Sequence, residues 1–569
     1  MSSPVLDPPS PAPAASAPAP PAGPAPRSRA ELALVVGVAL RLLQYAVNRS
    51  LWLDEGLLVS NFLPRDWAGL LEPLHRGQTA PLGFLAVEKA LAGLLGPSEL
   101  VLRLLPLLAG LATLALLPRV ARRYVSRPAR PLAVAIVALA PFLVYYSSEV
   151  KQYSLDALCT VAVLGFAARL ARDPHDRRAA AAFGLFGVIA VWFSQPVVFL
   201  LGGTGLVLGV RALRRGDRAA LLPRVAMAAA WLVSFAGSYT ASRHQVSDPE
   251  YMAVFWRSGF IPLLPRTAEE WIWLPRMLLR MFREPMGVMG DNGIGAVEWL
   301  NRAGTVAGAL AFAAGCAWMW RRRRLPLALL LAPLGLAVVA SAARLYPLGG
   351  LQLSTGRVLV YLLPVLALVM AEGAVSLRRV LPRGAAAPAF AAVVLLMLAP
   401  SFSYAALGVP QVRAEVKPLL EYSAEQRRPG DVMYVFYNGQ AVFEYYAPRY
   451  GWNRANTVAG VCARFRPEQY VEQLSVLEGR PRVWVLMVWG SPVPFRTERM
   501  LFREDLMILD ALDHMGTRLD GQKSVGAGLY LYDLRASASR RSFQLAVPTL
   551  RETASDACRG SWEWRNQLQ

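Results

Sequence analysis

Leu51-Trp52-Leu53-Asp54-Glu55-Gly56 sets two adjacent carboxylates directly after an apolar run, Leu32 to Val47. That run has the character of a helix crossing a bilayer, and a Trp flanked by leucines suits the membrane interface. Two acids at such a place are costly unless they are solvated, paired or used. One reading makes Asp54 the cap of a short helix from Glu55 to Leu63, with Glu55 favouring its first turn. The other gives the acids a chemical task. It gains weight from a second charged cluster, Glu149-Val150-Lys151-Gln152-Tyr153, once the chain is traced through the membrane.

Hydrophobic residues fill 55% of the 569 positions and charged residues 17%, the balance of a polytopic membrane protein. The first 26 residues hold ten prolines and almost no charge. Residues 1–29 are therefore expected to be a disordered, extended leader rather than a cleaved signal. Arg27 and Arg29 then hold that end in the cytoplasm. The formal charge of +21 comes largely from short clusters between apolar runs, such as Arg119, Arg122 and Arg123, Arg169 and Arg172, and Arg321 to Arg324. This is the positive-inside pattern of a membrane protein and excludes a nucleic-acid-binding stripe.

With the Arg clusters inside, the path is fixed. Eleven crossings are predicted, at about 32–47, 99–118, 131–146, 154–171, 179–194, 197–214, 221–241, 301–320, 325–341, 357–376 and 386–405. The apolar run 81–96 carries Glu88-Lys89 and is too short to span, which takes ~20 residues. Residues 48–98 thus form one external loop with helices lying on the membrane. A second long external loop, 242–300, carries Trp256, Trp271 and Trp273 with several arginines and suits an interfacial helix. The fold class is mostly α, a transmembrane bundle over 30–405. A small external α/β domain follows over 406–535, with strands expected at 431–437, 482–489 and 528–534 and helices at 415–426, 441–450 and 497–515. The tail 536–569 stays unassigned, and Cys462 and Cys558 can pair if that region lies outside. No GxGxxG, Walker, HExxH or CxxC pattern occurs.

The external ends of the helices gather charge. Asp54 and Glu55 follow the first, Glu149, Lys151, Tyr153 and Asp156 open the fourth, and Arg103 and Arg357 stand at outer ends where the charge rule disfavours them. Snorkelling and mutual pairing would account for some of these. Together they suit transfer of a sugar from a lipid phosphate, with a carboxylate as general base and cations on the leaving phosphate.

The stretches Leu51–Gly56, Thr79-Ala-Pro-Leu-Gly83, Tyr146-Ser-Ser-Glu-Val-Lys-Gln-Tyr153 and Gly356-Arg357 resemble the GT-C glycosyltransferases. The bacterial branch with protein O-mannosyltransferases and lipid A aminoarabinose transferases is the most similar, over roughly 30–405. The resemblance implies that Asp54 is the catalytic acid of the family, that Glu149 is the acid of the second external loop, that the donor is a polyprenyl-phosphate sugar and that the anomeric carbon inverts. The C-terminus departs from the family pattern in having no repeat-rich sugar-binding domain, and the terminal α/β domain has no assigned role, so the acceptor stays open between glycan, lipid and protein. The expected site is Asp54, Glu55 and Glu149 for catalysis, with Lys151, Arg357, Arg103, Tyr153 and Asp156 for the lipid phosphate and substrate. No cofactor is required and no metal ligands are assigned, although the acids leave room for a divalent ion. The expected location is the inner or plasma membrane, among membrane lipids, with the N-terminus cytoplasmic and the C-terminal domain outside. Two rivals stand beside this reading: a flippase for lipid-linked sugars, which needs polar residues along a path through the bilayer, and a non-catalytic scaffold for the α/β domain.

Overall fold

The apolar runs become helices. A computed structural model describes residues 29–247, 249–283, 298–349, 355–463, 468–488 and 504–535. The first part contains α1 (Arg29–Ala46), α2 (Leu53–Phe62), α3 (Leu82–Leu95), α4 (Glu99–Leu102), α5 (Leu104–Tyr124), α6 (Arg130–Leu139), α7 (Pro141–Tyr146), α8 (Tyr153–Arg172), α9 (Arg177–Ala190), α10 (Val197–Arg214) and α11 (Arg218–His244). It continues with α12 (Pro249–Trp256), α13 (Ala268–Arg283), α14 (Glu298–Arg322), α15 (Arg324–Ala342), α16 (Leu363–Val380), led in by a 3-10 turn Thr355–Leu362, and α17 (Arg383–Ser403). Helices stand at all eleven expected positions. Among the described residues, eight spans are long and apolar enough to cross a membrane. The other three positions are α1, which carries Arg29, Glu31 and Arg41, the interrupted α6–α7 pair, and α9 with 14 residues.

α16 is the axis of the bundle, buried continuously from Leu363 to Ser376. α14 crosses it at very short range: a Cβ on Gly373 would come 1.8 Å from the Ala311 carbonyl oxygen, so only glycine fits. The helix expected over 131–146 breaks at Ala140 because Pro141 has no N–H for the Val137 carbonyl. Arg41 makes good the loss, donating to Ala138 O at 2.8 Å and Val137 O at 3.4 Å. Glu372 likewise accepts from the Ser126 N–H at 2.7 Å. Arg41 and Glu372, two charged residues inside the bundle helices, are thus engaged with backbone groups, Glu372 also with Arg379.

The C-terminal residues form a five-stranded sheet of order β2-β1-β3-β5-β4, from β1 (Val432–Val435), β2 (Thr457–Ala459), β3 (Val483–Val488), β4 (Thr517–Ser524) and β5 (Ala527–Asp533). β1 runs parallel to β2 and β3, and β5 antiparallel to β3 and β4. Helices α18 (Lys417–Gln426), α19 (Gln440–Tyr446), α20 (Glu468–Leu474) and α21 (Glu504–Met515) accompany it. The expected leader 1–28, Cys558, the tail and residues 497–503 of the last expected helix lie outside the described residues.

This domain docks onto the first long loop. Leu51, Trp52, Leu58 and Phe62 share one apolar core with Val442, Phe443, Tyr446, Trp452 and Trp484. The contact is close because residue 56 is glycine: a Cβ there would lie 2.7 Å from Val442 Cγ2 and 3.0 Å from its backbone nitrogen. Polar ties reinforce it. Ser50 donates through N–H and Oγ to the Glu415 carboxylate at 2.9 and 2.8 Å, and the Leu51 N–H donates to Tyr446 Oη at 2.9 Å.

Candidate active site

The two adjacent acids part company at once, as neighbours on a helix must, since they point ~100° apart. α2 begins at Leu53, so Asp54 is not its cap; that service falls to Glu55, whose carboxylate accepts from the Trp52 N–H at 3.3 Å. Glu55 is fully buried. Arg103 meets it as a two-pronged fork, Nε to Oε1 at 2.8 Å and Nη2 to Oε2 at 2.6 Å, and the Val150 N–H adds a bond at 3.0 Å. Burial pushes the Glu55 pKa up, but Arg103 and Arg49 outweigh it and hold the carboxyl below its ordinary value. Arg103 also donates to the Arg49 and Ser50 carbonyls at 2.7 and 3.1 Å. Its guanidinium thus donates to three protein groups, the Glu55 carboxylate and the Arg49 and Ser50 carbonyls. Glu55 and Arg103 rivet α2 to the start of α5 and to the 147–152 turn.

Asp54 faces the other way and remains 16% exposed. It pairs with Arg357, a residue 303 positions away at the lead-in to α16. Burial pushes the Asp54 carboxyl up, yet Arg357, Lys151 and Arg413 together hold it below the ordinary carboxylate range. Lys151 is buried beside them and donates to Gln78 Oε1 at 2.7 Å. Burial drags its ammonium down, against the pull of Asp54.

Glu149 is fully buried, and neither carboxylate oxygen has a hydrogen-bond partner among the described residues. Burial raises its pKa; Arg413 opposes this, while the Glu55 charge reinforces it. The two carboxyls are thus shifted in opposite directions, Asp54 below and Glu149 above the ordinary carboxylate value. Arg413 was not legible in the sequence. It arrives from the connection between α17 and the C-terminal domain, and its guanidinium lies 3.9 Å over the Trp52 ring and 4.5 Å over the Tyr145 ring. Tyr153 packs edge-on against Tyr146, ring centres 4.6 Å apart, and Asp156 follows one turn along α8, 5% exposed. Ser354 lies outside the described residues.

All these groups stand at one end of the bundle. α5 starts beside Arg103 and carries Arg119, Arg122 and Arg123 near its other end, so most of a 21-residue helix, ~30 Å long, separates the acids from that cluster. The same holds for α8, which runs from Tyr153 to Arg169 and Arg172. Among the described residues no group of three His, Cys, Asp or Glu side chains is arranged to hold a metal ion.

No family model matches the chain, and no curated protein does. Solved structures are similar in fold. ArnT from Cupriavidus metallidurans in the apo state aligns with a TM-score of 0.49 at 14% identity, over 90% of this chain and 99% of its own. The same protein bound to undecaprenyl phosphate gives 0.48 at 14% identity, over 88% and 97%. The archaeal oligosaccharyltransferase AglB from Archaeoglobus fulgidus, in complex with an inhibitory peptide and a dolichol-phosphate, gives 0.47 at 14% identity, over 91% and 75%.

Proposed function

We propose that this chain is an integral-membrane glycosyltransferase of GT-C type, which moves a sugar from a polyprenyl phosphate to an acceptor hydroxyl with inversion. The observation that carries the reading is the Asp54–Arg357 pair beside buried Lys151 and Glu149 at one end of the bundle. The ionised carboxylate is open to a proton and gains basicity as a phosphate draws Arg357 and Lys151 away from it, and two cations next to it suit that phosphate. In the reaction the acceptor oxygen attacks the anomeric carbon and passes its proton to Asp54. The bond from that carbon to the phosphate oxygen breaks, and its electron pair leaves with the lipid phosphate. Arg357 and Lys151 stabilise the charge that grows there. Glu149 titrates above the ordinary carboxylate value, and in its protonated form it can donate a hydrogen bond that an ionised acid could not. Glu55 and Arg103 serve as scaffolding, which departs from their expected direct roles.

Undecaprenyl phosphate is the probe of choice. Arg357→Ala should weaken its binding and slow use of the sugar-bearing donor, while Arg357→Lys should rescue only in part, because the fork of the guanidinium is lost. Full activity and unchanged donor dependence in the alanine variant would reduce Arg357 to an anchor.

The reading also requires the site to face outward. Cysteine placed by Glu478→Cys should be labelled by an impermeant reagent in intact cells. Cysteine placed by Arg322→Cys should be labelled only after permeabilisation. The reverse pattern would put the acids on the cytoplasmic side and remove the proposed topology.

A further inference from the structure

At the end of the bundle away from the acids, a cavity of about 340 Å³ opens between α10, α14 and α15. Val207, Trp320, Arg324, Leu327, Ala328 and Leu331 line it. Its place follows from how α10 packs on α15. The two helices touch where residue 203 is glycine: a Cβ there would lie 2.4 Å from the Pro333 nitrogen and 2.7 Å from the Ala332 carbonyl carbon. From that contact toward Arg324, the small side chains of Val207 and Ala328 leave a slot along ~12 Å of α15. The slot is apolar apart from Arg324. Arg324 donates from Nε to the Trp320 carbonyl at 3.0 Å and lies 5.5 Å over the Trp320 ring. Its terminal nitrogens have no hydrogen-bond partner among the described residues. Arg321 and Arg322 close α14, Arg323 follows, and no acid stands in the first turn of α15. Trp320 is 62% exposed, as suits a ring at a membrane interface.

An apolar slot that ends on unpaired arginines selects its occupant by chemistry. Water finds too few polar partners along leucine and alanine walls. A free anion would meet the arginines and leave the slot unfilled. A second copy of this chain, packed through the same face, would set its own Arg321 to Arg324 against these four, like charge on like. An anionic phospholipid meets both demands: an acyl chain fills the slot, and a phosphate accepts from the guanidinium groups at its end. The lipid phosphate of the proposed donor belongs elsewhere. α15 spans ~28 Å from Arg324 to Ala342, and Arg357 lies beyond that far end, where Tyr346 Oη donates to the Val358 carbonyl at 2.8 Å.

We infer that the cavity between α10, α14 and α15 is a binding site for one anionic phospholipid, with an acyl chain along Val207, Leu327 and Leu331 and the phosphate on Arg324 and its neighbours. The site does not depend on the glycosyltransferase reading. Purified full-length protein in a neutral detergent should be titrated with phosphatidylglycerol and with phosphatidylcholine of the same acyl chains, and retained lipid counted by native mass spectrometry. Wild type should hold one phosphatidylglycerol about tenfold more tightly than phosphatidylcholine, roughly what one or two arginines at a membrane surface supply. Arg324→Gln changes an exposed residue, so the fold should survive; most of the preference should be lost, while phosphatidylcholine binding stays near wild type. Ala328→Trp should fill the slot and weaken retention of both lipids. No preference in wild type, an unchanged preference in Arg324→Gln, or unchanged retention by Ala328→Trp would each overturn the site. Undecaprenyl phosphate should leave the bound phosphatidylglycerol in place; its displacement would give the slot to the polyprenyl lipid and overturn the inference. A dimer that Ala328→Trp breaks apart would give it to a second copy of the chain, with the same result.

Discussion

Asp54→Asn should slow sugar transfer by about 100- to 10,000-fold, the usual cost of removing a general base. The amide keeps the size of the side chain, and Asp54 does not cap α2. The change does leave Arg357, 15% exposed, without its main counter-charge, so a modest loss of thermal stability is expected and transfer is compared per folded protein. Part of the expectation concerns pH. The Asp54 carboxyl is held below its ordinary value, with Arg357 the strongest cationic cause. A base is lost as pH falls through its pKa, so the acid limb of kcat/KM, which reports the free enzyme, should lie below the ordinary carboxylate range. In the donor complex the phosphate competes for Arg357, and Asp54 loses part of its partner. The acid limb of kcat should therefore sit at higher pH than that of kcat/KM. Near-normal transfer by well-expressed Asp54→Asn would sink the assignment, and coincident limbs would show that Arg357 stays on the carboxylate throughout.

The neighbouring acid should fail differently. Glu55→Gln leaves Arg103 buried, 1% exposed, without its counter-charge. Breaking such a pair from one side typically costs about 3–5 kcal/mol, a large share of any protein's stability. The variant should unfold at markedly lower temperature in detergent, whereas a purely catalytic acid would leave that temperature unchanged. Arg103→Met should be destabilising as well. The double variant should lose clearly less than the sum of the two singles, the mark of a pair whose halves need each other. A stable Glu55→Gln protein with lost transfer would instead return Glu55 to the chemistry.

The contrast shows where sequence reading stops. Hydropathy and Arg clusters were enough to find every long helix, because the bilayer allows little else. The strands β1, β3 and β5 were legible as apolar runs. β4, Thr517-Arg-Leu-Asp-Gly-Gln-Lys-Ser524, was not, because this edge strand is exposed on both faces along nearly its whole length and so carries no apolar alternation. β2 has only three residues, too few for a period. In the site, the pairing of Asp54 with Arg357 joins residues 303 positions apart, and no local pattern announces it. Two acids side by side were visible as candidates. Which of them would meet a buried arginine depended on where α2 begins, and the start at Leu53, after Trp52, is marked by no Ser, Thr, Asp or Asn cap in the sequence. Arg413 carried no signal, because it sits in a connection.

The ties between Ser50 and Glu415, and between Leu51 and Tyr446, span 365 and 395 positions. A ribosome makes the chain from the N-terminus, so α1 is in place long before its partners exist. The segment that presents Asp54 can be riveted early through Arg103 and the Val150 N–H, but it lacks its ties to Glu415 and Tyr446 until residue 446 has been made. Final seating of that loop is thus among the late events in the protein's biogenesis, and the end of the bundle that carries Asp54 is completed only after the C-terminal sheet begins to form.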